Sequence, residues 1–188
     1  GYLSESFGTI RYGSLAEVLL YDVRRTMTLG PQAVFVDPTV EEWLLARTTS
    51  PGVRHVVHAP SNPMGWSAGK WGEWYPDVLE RAVGALTTAV PKPYWQDGWL
   101  SQHDRLVDAM SGMRARTPLV VSGDLHAIGA GTMQRSGTLN LASNPVTTVL
   151  SGPVGTSEGG FPSAVRGVGS SPSGHLDLVE TVPPIEQH

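Results

Sequence analysis

Four short, largely apolar runs predict buried β-strands, because each has the length of a strand and is bounded by turn residues. The runs are Ala16–Tyr21, Val53–Ala59, Pro118–Ser122 and Val146–Leu150, with a further short strand near His175–Val179. Apolar residues at helical spacing predict helices over Asp37–Leu45, Asp77–Leu86 and Leu100–Met113. Asp37 is placed to cap the first helix and Pro38 to begin it. This alternation of strands and helices predicts an α/β fold.

The length and the turn residues indicate how the chain is organised. Its 188 residues are enough for one domain with one core. A Gly- and Trp-rich stretch from Trp66 to Tyr75 predicts a long loop, and long loops in compact domains are often functional. From about Ser151 the chain is rich in Gly, Ser and Pro, which predicts a loop-rich tail over residues 151–188.

Charge and composition exclude several classes of function. The net charge is −4 and the 13 Lys and Arg residues are scattered, so no basic field favours nucleic acid or an anionic membrane. No apolar run approaches the roughly 20 residues that span a bilayer. The chain has no cysteine, which excludes disulfides, thiolate nucleophiles and Cys-ligated metal sites.

Polar side chains follow three of the predicted strands. Asp22 follows the first, His58 lies near the end of the second, and Asp124 and His126 follow the third. In α/β folds ligands bind beyond the carboxyl ends of strands, and carboxylates with imidazoles suit a divalent or trivalent metal. The alternatives are that Asp124 is a turn or helix-cap residue and that His58 is a hydrogen-bonded, partly buried histidine.

Five segments, in the same order along the chain, resemble enzymes of the alkaline phosphatase D-like metallophosphoesterase family. The segments are Tyr12–Val18, the Asp-x-Arg of Tyr21–Arg25, Glu42–Leu44, Asp97–Trp99 with Arg105, and the Gly-Asp-x-His-Ala of Val120–Ala127. The resemblance implies a calcineurin-like α/β sandwich, a mixed sheet with flanking helices, of which this chain supplies about half. The family's upstream aspartate, aspartate-tyrosine and asparagine or histidine motifs have no counterpart here.

The resemblance therefore implies that residues 1–188 are a single partial domain, the C-terminal portion of a metallophosphoesterase domain. An N-terminal half, in cis or in trans, would complete it. The implied activity is hydrolysis of a phosphate monoester or diester at two or more metal ions, with iron, calcium, manganese and zinc all suited to such ligands. A non-catalytic module that binds a phosphate ligand or a partner chain is the alternative. The family's frequent export implies a periplasmic or secreted protein.

The resemblance also implies roles for individual residues. Asp124 and His126 would ligate metal, with His58 as a further ligand, although the family usually carries glutamine at that position. Arg24 would hold a phosphate oxygen as a catalytic and substrate-binding residue, because its planar fork matches phosphate. Asp22, Trp66 and Trp71 would contact substrate. The alternatives are a structural ion pair for Arg24 with Asp22 or another carboxylate, and core packing for the tryptophans.

Overall fold

The structure, a computed structural model, describes residues 6–28, 32–50, 52–70, 97–152, 166–170 and 175–186. These ranges contain the helices α1 (Pro38–Thr49) and α2 (Asp97–Ser111). Their strands are β1 (Phe7–Tyr12), β2 (Ala16–Tyr21), β3 (His55–Pro60), β4 (Trp66–Lys70), β5 (Leu119–Ser122), β6 (Ala127–Ser136), β7 (Leu139–Asn140), β8 (Val146–Leu150), β9 (Arg166–Ser170) and β10 (Leu176–Glu186).

Eight of these strands form one mixed sheet in the order β1-β2-β3-β5-β8-β6-β10, with β7 paired to β6. β2, β3, β5 and β8 are parallel to one another. β1 pairs antiparallel to β2, while β6 and β10 extend the other side of the sheet in antiparallel pairing. The predicted α/β fold with a mixed sheet and flanking helices is confirmed. The four parallel strands end at one edge of the sheet, which we call the carboxyl edge.

One face of the sheet packs against both helices. On β2 the residues Glu17, Leu19 and Tyr21 alternate with more exposed neighbours, as expected for a strand with one buried face. The core joins apolar residues of the sheet to residues of both helices, among them Leu19, Val56, Val120, Val146, Leu44, Leu106 and Met110. Burial of this face holds the helices in place, since each large apolar side chain contributes about 1.5–3 kcal/mol.

Helix α1 begins as the sequence predicts. The Asp37 carboxylate accepts a hydrogen bond from the Thr39 backbone N–H at 2.9 Å, and Pro38 is the first helical residue. The two helices are joined by polar contacts, since Arg105 Nε donates to Glu41 Oε1 at 2.6 Å and Gln102 Nε2 donates to Glu41 Oε2 at 2.8 Å. Charged hydrogen bonds of this kind stabilise a fold more than neutral ones do.

The structure differs from the sequence prediction in several segments. Trp66 begins a short strand, β4, which pairs antiparallel to β9, where a loop was expected. The tail predicted to be rich in loops contains β9. The short strand predicted near His175–Val179 is confirmed, but it is part of the longer β10, which pairs with β6 over most of its length. Strands β1, β6 and β7 were not predicted. The helix predicted over Asp77–Leu86 lies outside the described residues.

The second face of the sheet is apolar and only partly covered. Val18, Val57, Val121 and Val149 are half-buried on this face. Leu20 and Ile128 are 39% and 38% exposed, although each alternates with buried residues of the core face. Parallel strands are usually buried on both faces, so this second face has the character of an interface. None of the described helices is long and apolar enough to cross a membrane.

Candidate functional site

The segments that follow β2, β3 and β5 meet at the carboxyl edge of the sheet. Asp22 follows β2, Ser61 and Asn62 follow β3, and Asp124 follows β5. Two backbone hydrogen bonds extend the strand pairing past the strand ends: Ser61 N–H donates to the Tyr21 carbonyl at 2.9 Å, and Ser151 N–H donates to the Ser122 carbonyl at 2.7 Å. The topology thus brings residues distant in sequence to one place.

Asp22 and Ser61 connect the first two of these segments. Asp22 Oδ1 accepts from the Arg24 backbone N–H at 2.9 Å and from the Ser61 hydroxyl at 2.9 Å. The same hydroxyl oxygen accepts from the Val23 backbone N–H at 2.9 Å. Asp22 therefore shapes the turn that carries Arg24, as short polar side chains do in Asx turns. The prediction that Asp22 contacts substrate stays a prediction.

Arg24 bridges the remaining two segments. Its Nε donates to Asn62 Oδ1 at 2.8 Å, and its Nη2 forms an ion pair with Asp124 Oδ1. The Arg24 side chain is 47% exposed and that of Asp124 is 19% exposed. Of the roles weighed for Arg24, this contact matches the ion pair with a nearby carboxylate, although the partner is Asp124 and not Asp22. The guanidinium remains accessible enough to meet an anion.

The loop of Gly123 to His126 has an unusual backbone. Asp124 and His126 both adopt positive φ angles, 72° and 50°. This left-handed conformation is uncommon for residues other than glycine, costs of the order of 1–3 kcal/mol per residue, and clusters at functional sites. Between them Leu125 is 1% exposed and packs with Trp66, Ala127 and Leu150. The buried leucine fixes the loop, so the two polar residues are held in place on either side of it.

His58 is not brought to this loop. Its side chain is fully buried on the core face, where Nε2 lies 2.9 Å from Thr48 Oγ1 and Nδ1 lies 3.3 Å from the Tyr21 hydroxyl. Thr48 Oγ1 donates to the Leu44 carbonyl at 2.6 Å, so it accepts from His58 Nε2–H, and Nδ1 is left to accept from Tyr21. Burial lowers the pKa of His58 to about 3. His58 is therefore a hydrogen-bonded core histidine. Both of its ring nitrogens have hydrogen-bond partners, whereas a metal ligand would need one ring nitrogen to bind the metal.

The two tryptophans predicted to contact substrate have different outcomes. Trp66 is fully buried, and its Nε1 donates to Thr148 Oγ1 at 3.2 Å. Its ring packs beneath Leu125, so the structure places it in the packing role and not at the site surface. Trp71 lies outside the described residues.

A shallow cleft of about 440 Å³ lies beside the turn of Asp22 and Ser61 at the carboxyl edge. Its other lining residues are mostly apolar and include Phe7, Leu20 and Pro60. The Asp22 carboxylate and the Ser61 hydroxyl are the polar groups that line this cleft together with Ser6.

The donor chemistry at the carboxyl edge fits a metal ion only in part. Asp124 and His126 offer a carboxylate and an imidazole on one rigid loop, the kinds of donor that iron, manganese and zinc accept. Among the described residues no group of three or more such side chains is arranged to hold a metal. Asp124 and His126 thus supply the expected kinds of donor. A complete metal site needs more donors than these two.

Sequence reasoning did not find Ser61 and Asn62. The segment Pro60–Pro63 carries turn residues, and a turn was all that this signal predicted. Asn62 lies 38 residues from its partner Arg24, so no local pattern links the two. The position of Asn62 shortly after a predicted strand is the sequence signal that could have pointed to it.

Comparison with known proteins gives one fold-level match. No family model and no curated protein matches the sequence. Among solved structures the chain is similar to one titled "Structure of PhoD", with a TM-score of 0.52 and 15% identity. The match covers 78% of this chain and 28% of that one, so the chain spans under a third of its structural neighbour's length. The chain therefore has a PhoD-like α/β fold.

Proposed function

We propose that this chain is the C-terminal portion of a metal-dependent phosphoesterase of the alkaline phosphatase D type, with a calcineurin-like sandwich fold. Three features support the proposal. The fold is similar to that of the solved structure titled "Structure of PhoD". The Gly-Asp-x-His-Ala segment lies on a strained loop at the carboxyl edge. The position of Arg24, proposed to bind phosphate, beside Asp124, proposed to ligate metal, carries the proposal furthest.

Each residue at the carboxyl edge has a distinct task in the proposed reaction. Asp124 and His126 would hold a metal ion, which when bound supplies charge neutralisation and an acidified water for attack on phosphorus. Arg24 would bind a non-bridging phosphate oxygen through its Nη edge. Asp22 and Ser61 hold the turn that carries Arg24, and the neighbouring apolar cleft would receive the organic part of the ester.

Completion of this site would require an N-terminal half, in cis or in trans. The described residues supply two candidate ligands, and the match to PhoD covers 28% of that chain. The half-exposed apolar face of the sheet offers a surface that a second layer of structure would cover. The substrate would be a phosphate monoester or diester, and the metals would come from iron, calcium, manganese and zinc. A periplasmic or secreted location belongs to the same proposal.

Hydrolysis of a chromogenic phosphomonoester and phosphodiester tests the proposal directly. The chain is assayed alone and together with the polypeptide that supplies the N-terminal half, with each candidate metal added. We expect hydrolysis only from the pair, and its loss in Arg24→Ala with retention in Arg114→Ala, an exposed arginine beyond α2. An active isolated chain would refute the need for a second half. An inactive pair that retains metal and phosphate binding would favour the second candidate.

That second candidate is a non-catalytic module that binds a phosphate-bearing ligand or a partner chain. One observation favours it: Asp124 is engaged by Arg24, so the carboxylate acts as a structural partner and not as a ligand in this arrangement. In such a module the same ion pair would stabilise the carboxyl edge, and Asp124→Asn would reduce the free energy of unfolding without affecting any bound metal.

A further inference from the structure

Two partners of the Arg24 guanidinium are of different kinds. Nε donates to the neutral amide oxygen of Asn62 at 2.8 Å. The neighbouring Nη2 forms an ion pair with the Asp124 carboxylate. A neutral acceptor orients an arginine without cancelling its charge, whereas a carboxylate does both. The two contacts therefore have different consequences for an anion that approaches Arg24.

The surrounding fold holds Asn62 in one position. Its side chain is 1% exposed. The preceding residue, Ser61, is tied to the turn after β2 through the Asp22 carboxylate and the Val23 backbone N–H, each at 2.9 Å. The residues that follow, Pro63 and Met64, are buried. A buried amide flanked in this way keeps its oxygen in one position, while the partner arginine is 47% exposed and has room to adjust.

We infer that Asn62 is a positioning residue that anchors Arg24 Nε, while Arg24 Nη2 exchanges Asp124 for an oxygen of a phosphate group. The inference rests on the proposed function, because it takes the phosphate of the ester as the incoming anion. The anchor removes side-chain rotations before the anion binds, so fewer remain to be lost on binding.

Side-chain NMR of Arg24 during a titration with inorganic phosphate tests the exchange in the wild-type chain. We expect the Arg24 Nη resonances and the Asp124 carboxyl carbon to shift as phosphate is added, while the Arg24 Nε–H resonance stays at its hydrogen-bonded position. Movement of Nε–H together with Nη would mean that the whole side chain swings, which would overturn the anchor. An absence of any Arg24 shift would overturn the exchange.

A pair of variants tests the role of Asn62 itself. Asn62→Leu keeps the branched shape and the number of side-chain heavy atoms but removes the acceptor, and we expect phosphate affinity to fall about tenfold, as for loss of one well-placed hydrogen bond. The Arg24 Nε–H resonance should move to the value of a solvated arginine. Asn140→Leu is the matched control, because Asn140 is exposed on β7 and bonds the Ala142 backbone N–H at 3.0 Å. Equal phosphate affinity in Asn62→Leu and wild type would overturn the inference.

Folding and function can be separated in these experiments. If Asn62→Leu lowers the melting temperature, the titration of the wild-type chain still decides the matter. Asn62→Asp retains an oxygen acceptor and should keep Arg24 Nε–H near its wild-type resonance, which a role in packing alone would not require. Phosphate binding with the expected shifts but no hydrolysis by the complete pair would refute the proposed function alone. Hydrolysis with an unanchored Nε would refute this inference alone.

Discussion

The buried His58 predicts a specific loss of stability in acid. Its ring is fully buried between Tyr21 and Thr48, and burial lowers its pKa from 6.5 to about 3. The His58 ring therefore stays neutral in the folded state, whereas in the unfolded state it takes up a proton at about pH 6.5. Stability is at its full value above pH 6.5 and falls as the pH drops from 6.5 towards 3.

The magnitude follows from proton linkage. Each pH unit below the unfolded pKa costs about 1.4 kcal/mol of the free energy of unfolding, until the folded pKa is reached. The contribution of His58 at pH 5.5 is therefore a loss of about 1.4 kcal/mol, and at pH 4.5 a loss of about 2.7 kcal/mol. For a domain with a total stability of about 5–15 kcal/mol, this is a large effect.

Urea unfolding between pH 4.5 and 7.5 measures this contribution. His58→Gln retains a donor and an acceptor of similar reach but does not titrate, so its profile should be flatter than that of the wild type by about 1.4 kcal/mol per pH unit below 6.5. His55→Gln is the control, because His55 is exposed on the same strand. Parallel profiles of the free energy of unfolding against pH for wild type and His58→Gln would refute the buried neutral ring. In a separate measurement, loss of bound metal in His58→Gln would restore His58 as a ligand.

Three further predictions concern packing and the site. Glu41→Ala should lower the free energy of unfolding by about 1–3 kcal/mol, because it removes the hydrogen-bond acceptor of Arg105 and Gln102. Glu42→Ala, at an exposed neighbouring position, should change the free energy of unfolding little. Equal effects of the two substitutions would contradict the role of the inter-helix contact. Leu125→Ala should cost about 2–5 kcal/mol in the same urea assay, because Leu125 is 1% exposed. The half-exposed Leu20→Ala should cost much less, and a Leu125→Ala protein as stable as Leu20→Ala would argue against an anchored loop. Asp37→Ala should cost about 1 kcal/mol through loss of the α1 cap, and an unchanged urea midpoint would contradict it.

The parallel strands and the first helix could be predicted from the sequence because their signals are local. β2, β5 and β8 are short apolar runs, and Asp37 with Pro38 marks the start of α1. Strand β6 was not predicted because Gly129 and Gly131 occupy two of its buried positions, where no apolar side chain reveals the alternation of buried and exposed residues. A Cβ at Gly129 would lie 3.6 Å from the Trp66 ring, and one at Gly131 would lie 3.0 Å from the Val179 carbonyl. Packing by neighbours thus replaces the missing side chains.

The site was predictable only where a motif is contiguous. Gly123–His126 stands out as a loop after a buried strand, and the structure places it at the carboxyl edge. The contacts of Arg24 with Asn62 and Asp124 join segments far apart in sequence, and only the strand order brings them together. Whether His58 lies in the core or at the site depends on which face of β3 its side chain occupies. Its apolar neighbours did not reveal that Thr48 and Tyr21 would satisfy its ring.

The metal content of the assembled pair tests the central claim most directly, because the claim is that the Asp124 loop ligates metal once the N-terminal half is present. Elemental analysis of the purified pair should find bound metal in wild type and in Asp108→Asn, a control at an exposed position on α2. Asp124→Asn should lose most of that metal while its circular dichroism spectrum stays unchanged. Equal metal content in Asp124→Asn and wild type would contradict the account.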